Sequence, residues 1–171
     1  MTDPFSYLTE TRGIDSAIAE YAAWRSKGRE YVIPYFDAQG RERAVRYHNP
    51  TGKPKYRSES GSKGHLYCVE NVRFAKVVLC EGEIDTLSAL SAGYMAVGVA
   101  GATSFFKPWV HLLDHVDELV LAFDGDAAGR EAAGKIKGLL PQASIVEMPA
   151  DTDLNDVLLT DGVRGVRELL G

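Results

Sequence analysis

The sequence predicts an α/β fold, in which a mainly parallel sheet flanked by helices follows a smaller, basic N-terminal subdomain of α+β type. Three observations support this prediction. After residue 75, short apolar runs alternate with helical segments, which is typical of a parallel sheet covered on both faces. Before that point, two β-rich runs surround a glycine-containing turn. The charge also changes sign: residues 1–75 carry 12 Lys and Arg against 9 Asp and Glu, and residues 76–171 carry 7 against 15.

The composition is that of an ordinary globular protein. The 171 residues are 45% hydrophobic and 25% charged, which is enough to bury a core. No apolar run is long enough to cross a membrane, and the N-terminus lacks the layout of a secretory signal, so we expect a soluble intracellular protein with no membrane partner. Cys68 and Cys80 are too few for a four-thiolate zinc site, and we expect neither a disulfide nor a structural zinc ion.

The first predicted subdomain comprises residues 1–73. Apolar residues at helical spacing predict a helix over 14–26, and the two β-rich runs predict a hairpin with strands over 30–36 and 41–47. Residues 48–65 contain two prolines and several glycines, so we predict a loop-rich connection there.

The second predicted subdomain comprises residues 74–171. Its strands are predicted over 77–80, 95–99, 118–123 and 143–148. Its helices are predicted over 83–92, 104–115 and 126–140, with further helical segments at 155–160 and 163–170.

Acidic side chains follow three of these strands. Glu81 comes directly after the first strand, Asp124 and Asp126 after the third, and Asp153 lies in the loop after the fourth. The carboxyl ends of parallel strands meet at one edge of a sheet, where ligands bind. Crowded carboxylates repel one another unless a cation compensates them, and oxygen ligands without His or Cys favour Mg²⁺ or Mn²⁺ over zinc. We therefore predict a magnesium or manganese site for chemistry on phosphates.

Simpler roles stay open for single members of this pattern. The segment 124–126 can be a helix-capping turn, and Glu81 can be a solvated loop residue. Asp85, on the helix after Glu81, can take part in catalysis or simply favour the helix dipole. His111 and His115 have a zinc-compatible spacing, but without a thiolate or a third ligand we expect a solvated or packed pair.

A basic segment precedes the acidic strand ends. Residues 41–63 contain seven basic and two acidic side chains. Such a run is usually a solvated face, but its position ahead of an acidic metal site favours phosphate binding. The candidates for binding nucleotides or nucleic acid are Arg46, Lys55, Arg57 and Lys63.

Three motifs resemble those of a Toprim domain: Glu-Gly-Glu-Ile-Asp at 81–85, Asp-Gly-Asp-Ala-Ala-Gly at 124–129 and Asp-Leu-Asn-Asp at 153–156. The N-terminal part resembles the catalytic core of bacterial and phage DNA primases. That likeness is carried by residues 7–14, 33–40, 54–56 and 64–67, together with Arg46.

The resemblance implies a role for each candidate residue. Glu81 and Asp85 would be catalytic, and Asp124, Asp126 and Asp153 would hold Mg²⁺ or Mn²⁺ together with Glu81. The basic candidates would hold the template and the incoming nucleotide triphosphate. Asn155 stands at a position where related primases often have an acid, with Asp156 next to it.

The function that the resemblance implies is synthesis of short RNA primers on single-stranded DNA by two-metal nucleotidyl transfer. The alternatives are a Toprim nuclease that cleaves RNA or DNA, and a non-catalytic module that binds nucleotide or magnesium in a replication complex. The basic N-terminal subdomain favours the primase. Further partners would be a replicative helicase and a separate zinc-binding module, in the cytoplasm of a bacterium or a phage-infected cell.

Overall fold

The computed structural model describes residues 2–59, 64–105 and 107–171 of the chain, which form two four-stranded sheets. One sheet is antiparallel and belongs to the N-terminal part. The other is parallel and belongs to the C-terminal part, as the alternating pattern predicts. The α/β prediction is therefore confirmed.

The antiparallel sheet has its strands in chain order, each paired with the next. They are β1 Arg25–Lys27, β2 Glu30–Phe36, β3 Glu42–His48 and β4 Tyr56–Ser58. The predicted hairpin is confirmed as β2 and β3. The Asp37 carboxylate closes its turn by accepting hydrogen bonds from the backbone N–H groups of Gln39 and Arg41, both at 3.0 Å.

Two N-terminal predictions are wrong in part. The helix predicted over 14–26 is shorter, because α2 (Ser16–Ala22) ends at Ala23 in the left-handed conformation and the chain then enters β1. The connection predicted over 48–65 contains the strand β4, which pairs with the end of β3. Ahead of α2, α1 (Pro4–Ser6) continues into a π-helical turn, Tyr7–Thr11.

The parallel sheet has the strand order β6-β5-β7-β8. Its strands are β5 Lys76–Cys80, β6 Ala96–Gly98, β7 Glu118–Ala122 and β8 Ser144–Ile145. Its helices are α3 Glu83–Ser91, α4 Val110–Leu113, α5 Ala127–Leu139 and α6 Leu154–Leu170. The two helical segments predicted near the C-terminus form the single helix α6, which is kinked at Gly162.

Two C-terminal elements are shorter than predicted. The helix predicted over 104–115 is replaced by the 3₁₀ turns Ala102–Ser104 and Lys107–Trp109 followed by α4, because Pro108 restricts the first turn of a helix. The strand predicted over 143–148 is only β8, since the chain turns away from β7 after Val146.

The hydrophobic core crosses the predicted subdomain boundary at residues 73 and 74. Tyr7, Leu8 and Ile33 from the N-terminal part belong to the same buried cluster as Val78 and Leu87 from the parallel sheet and α3. A second buried cluster lies on the other face of the parallel sheet, under α4 and α5. Within the described part of the chain, each helix is too short or too polar to span a membrane.

Candidate functional site

A cleft of about 230 Å³ opens where the carboxyl ends of the parallel strands face the inner side of the antiparallel sheet. Both subdomains contribute charged side chains to its walls. The C-terminal part contributes Glu81, Glu83, Asp85, Asp124 and Asp153, and the N-terminal part contributes Arg12, Arg46 and Lys55, together with the uncharged side chain of Tyr56.

Glu81 lies at the end of β5 and is held by two backbone amides. Its Oε1 accepts a hydrogen bond from the Ala102 N–H at 3.0 Å, and its Oε2 accepts one from the Asp124 N–H at 3.3 Å. Burial raises the pKa of the Glu81 carboxyl, and the negative charges of Asp126 and Asp153 raise it further. Glu81 is therefore a fixed side chain rather than a freely solvated loop residue.

Asp124 follows β7, the third strand of the parallel sheet, and is half-buried. Burial raises its pKa to about 7, with further contributions from Glu81, Asp153 and Asp126. A carboxyl group with such neighbours binds either a proton or a cation at neutral pH. The acids that follow separate strands are thus brought together, as their positions predicted.

Asp126 and Asp153 each begin a helix. The Asp126 Oδ1 accepts a hydrogen bond from the Gly129 N–H at 2.7 Å and caps α5, beside the cleft. The Asp153 Oδ1 accepts one from the Asp156 N–H at 2.7 Å, as part of the capping box of α6. The capping interpretation of segment 124–126 is therefore confirmed for Asp126, which uses its Oδ1 as the cap.

Asp85 is buried, whereas Glu81, Asp124 and Asp153 are half-buried. Its Oδ1 accepts a hydrogen bond from the Asn155 N–H at 3.1 Å, and burial raises its pKa well above the usual range, with Asp153 and Asp124 adding to the effect. The Asn155 side chain, 1% exposed, donates to the Arg12 carbonyl at 2.8 Å and to the Ser88 Oγ at 3.0 Å. The amide at position 155 therefore serves as a structural link.

The acids suit an ion such as Mg²⁺, which is bound partly by waters and substrate, better than an ion enclosed by protein ligands alone. Within residues 2–59, 64–105 and 107–171, no group of three or more acidic, His or Cys side chains is arranged to hold a metal by itself. Mg²⁺ is usually bound by one or two carboxylates together with waters and substrate phosphates. Glu81, Asp124 and Asp153 line the open cleft, where one or two of them can hold an ion in that way.

The four basic candidates do not share one location. Arg46 and Lys55 line the cleft, and the Arg46 guanidinium lies over the Tyr56 ring. Arg57 points to the opposite side of β4, where it forms an ion pair with Glu30 at 2.6 Å. Lys63 lies outside the described residues.

Sequence reasoning missed Arg12 and Tyr56 as cleft residues. The Arg12 Nε donates to the Tyr7 hydroxyl at 2.9 Å, and its Nη1 donates to the Asn155 Oδ1 at 3.4 Å, so the guanidinium is held beside α6. Residues 7–14 carry part of the primase resemblance, which was the available signal. Nothing local indicates that Arg12 reaches a site formed more than 60 residues later.

The remaining candidates lie away from the cleft. His111 and His115 are exposed, and each has a nitrogen within 4.0 Å of an Asp114 oxygen. Cys68 and Cys80 are buried free thiols.

Comparison with known proteins defines the class. The profile of the Toprim-like family matches residues 78–158, which span the acidic motifs. The Gene 57 protein of Mycobacterium phage D29 is 36% identical over 129 residues, covering 70% of this chain and 80% of that protein. The chain therefore belongs to the Toprim-like family.

DNA primases are also among its relatives. The DNA primase of Chlamydia muridarum is 34% identical over 204 aligned positions, covering 97% of this chain and 32% of the primase. The chain thus spans about a third of that relative's length. The primase fragment of the bacteriophage T7 primase-helicase protein has the same fold, with a TM-score of 0.82 at 23% identity, covering 95% of this chain and 73% of that one.

Proposed function

We propose that this chain is the catalytic core of a DNA primase, which joins nucleotide triphosphates into short RNA primers on single-stranded DNA. The observation that carries the proposal is the cleft itself, where the carboxylates that follow β5 and β7 and begin α6 face Arg46, Lys55 and Arg12 from the N-terminal part. A nuclease needs the acids alone, whereas a polymerising enzyme also needs cations for the triphosphate. The DNA primases among the relatives support the same activity.

The proposed cofactor is Mg²⁺ or Mn²⁺, held by Asp124, Asp126 and Asp153 with Glu81. Bound there, the ions would activate the primer 3′-hydroxyl and neutralise the charge that develops on the transferred phosphate and the leaving pyrophosphate. The raised pKa of Asp124 supports this assignment, because a cation would compensate the negative charges that surround its carboxylate.

The side chains of this protein would position the reactants. Glu81, oriented by two backbone amides, presents a carboxylate that can accept the proton of the attacking hydroxyl, and Asp85 lies behind it against Asn155. Arg46, Lys55 and Arg12 would bind the triphosphate from the opposite wall. Arg57, which lies outside the cleft, is a proposed contact of the template strand, and so is Lys63.

The proposed partners follow from the same activity. They are the single-stranded template, a replicative helicase and a separate zinc-binding module, in the cytoplasm of a bacterium or a phage-infected cell. The T7 fragment with the same fold comes from a primase-helicase protein, which supports the helicase.

The decisive experiment is an incorporation assay with the Asp124→Ala variant. Single-stranded DNA, nucleotide triphosphates and Mg²⁺ or Mn²⁺ are expected to give short oligoribonucleotides with the wild type and none with the variant, because the carboxylate at the centre of the acid cluster is lost. Asp114→Ala, which removes an exposed carboxylate beyond α4, is the control and should retain activity.

The assay also separates the alternatives. Template or RNA cleavage without nucleotide incorporation would establish a nuclease instead. Full activity of Asp124→Ala would contradict the metal-site assignment, and no reaction with any substrate would favour a binding module.

A further inference from the structure

Glu83 lies between the two sheets, at the wall of the cleft. It is the first residue of α3, two positions after Glu81, and is only 2% exposed. Its Oε1 accepts hydrogen bonds from the Tyr35 hydroxyl at 2.6 Å and from the Arg46 Nη1 at 2.5 Å. Glu83 therefore connects β2 and β3 of the antiparallel sheet to the helix that follows the first acidic motif.

Arg46 depends on this contact for its orientation. Its side chain is 14% exposed, and its Nε is buried without a hydrogen-bond partner among the described residues. The guanidinium carbon lies 5.1 Å from the centroid of the Tyr56 ring, a contact that limits tilting but not rotation in the ring plane. The hydrogen bond to Glu83 gives the guanidinium its direction, and the Tyr35 hydroxyl, which donates to the same Glu83 oxygen, lies beside it.

The pair also sets the charge of the cleft. A buried arginine beside a buried carboxylate is largely compensated, so it recognises phosphate as an oriented donor rather than as an additional free charge. Lys55, which is exposed, is not compensated in this way. Arg46 and Lys55 thus differ in the way each would act on a triphosphate.

We propose that Glu83 is a positioning residue, which holds the Arg46 guanidinium in one charge-compensated orientation towards the triphosphate of the incoming nucleotide. The identity of this ligand rests on the proposed function. The contact between Glu83 and Arg46 exists whatever the reaction is.

The test is the Glu83→Gln variant, which keeps an oxygen that can accept both hydrogen bonds but removes the negative charge. Binding of inorganic triphosphate in the presence of Mg²⁺, measured by titration calorimetry, should tighten about ten-fold, because an uncompensated unit charge is then added near the ligand. In primer synthesis, KM for the nucleotide should fall while kcat stays within about two-fold of the wild type, since an added charge with the orientation retained strengthens ground-state and transition-state binding alike.

The matched control is Glu42→Gln. Glu42 forms an ion pair with Arg25 at 2.8 Å in the antiparallel sheet that also contains Arg46. Both side chains are partly exposed and lie outside the cleft. This variant has the same change in net charge, and its triphosphate affinity should change by less than about two-fold. Equal effects of the two substitutions would overturn the proposal.

Glu83→Asp separates orientation from charge. It keeps the negative charge but withdraws the carboxylate by one methylene, so triphosphate affinity should stay within about two-fold of the wild type while kcat falls about ten-fold. If the substitutions at Glu83 lower only the thermal stability and leave kcat and KM unchanged, Glu83 has a structural role alone. If no protein, wild type included, incorporates nucleotides, the proposed function fails, but the triphosphate comparison still tests the role of Glu83.

Discussion

His48 is a buried titratable side chain whose surroundings hold it neutral. Its Nε2 is 2.9 Å from the Tyr7 hydroxyl, and its ring stacks on Tyr56 with 4.4 Å between centroids. Burial lowers its pKa to about 4, and the positive charges of Lys55, Arg12 and Arg46 act in the same direction. The residue that supports the basic wall of the cleft is therefore itself uncharged at neutral pH.

This shift predicts a pH-dependent stability. Between pH 6.5 and about 4 the unfolded chain protonates His48 and the folded chain does not, so the free energy of unfolding should fall as the pH falls through this range. The loss from this residue is at most about 3 kcal/mol. The free energy of unfolding, measured by urea denaturation at several pH values, should depend less steeply on pH in His48→Asn than in the wild type. An equal pH dependence in both proteins would contradict the prediction, because the carboxylates titrate equally in both.

At the scale of elements, the acidic loops pack against each other through Gly125. Its N–H donates to the Thr152 carbonyl at 2.8 Å, and its own carbonyl accepts from the Asp151 N–H at 3.1 Å. A Cβ at position 125 would lie 1.9 Å from the Pro149 carbonyl oxygen, which is impossible without backbone movement. This glycine therefore allows the neighbouring loop to approach the backbone closely.

Gly125→Ala should therefore destabilise the protein by about 2–4 kcal/mol and lower primer synthesis, since the loops that carry Asp124 and Asp153 must separate. Gly134→Ala is the control. Gly134 is exposed within α5, nothing lies within 4 Å of a Cβ there, and this substitution should stabilise the protein by about 0.5–1 kcal/mol. Thermal denaturation of both variants checks the pair, and a Gly125→Ala protein as stable as the wild type would refute the steric argument.

At the scale of the whole molecule, Asn155 joins the N-terminal segment to the parallel-sheet layer. Its side-chain amide donates hydrogen bonds to the Arg12 carbonyl and to the Ser88 hydroxyl. Both residues are more than 60 positions away from Asn155 in the sequence. Leu154, the residue before Asn155, belongs to the core cluster to which both predicted subdomains contribute. The two predicted subdomains are thus expected to unfold together.

Asn155→Ala should lower the free energy of unfolding by about 2–3 kcal/mol, because it leaves the buried Arg12 carbonyl and Ser88 hydroxyl with fewer partners. It should also increase hydrogen exchange in α1 and α2. Ser88→Ala, which removes a single partner of Asn155, should cost about 1 kcal/mol and leave that exchange nearly unchanged. Equal effects of the two variants would show that Asn155 does not anchor the N-terminal segment.

Much of the C-terminal part was predictable because its signals are local. Strand and helix periodicities located β5, α3, β7 and α5, and the acids directly after β5 and β7 had to meet at one edge of a parallel sheet. The 104–115 segment was not predictable, since its apolar residues fit a helix although Pro108 and packing against the sheet impose short turns.

The basic residues show most clearly what could not be predicted from the sequence. Strand register places Arg46 opposite Ser58 and Tyr47 opposite Arg57, so Arg46 faces the cleft and Arg57 faces away. A count of charges between residues 41 and 63 cannot distinguish these two positions, because side chains alternate between the faces of a strand and the register depends on pairing partners.

By itself, the sequence determined the α/β class, the acidic strand ends and the basic character of the N-terminal part, because each of these follows from neighbouring residues and from the geometry of parallel strands. Only the tertiary structure decided that Arg12 and Arg46 enter the cleft, that Arg57 does not, and that Glu83 holds Arg46. Those contacts join segments up to 143 residues apart, and their geometry depends on how the two sheets pack.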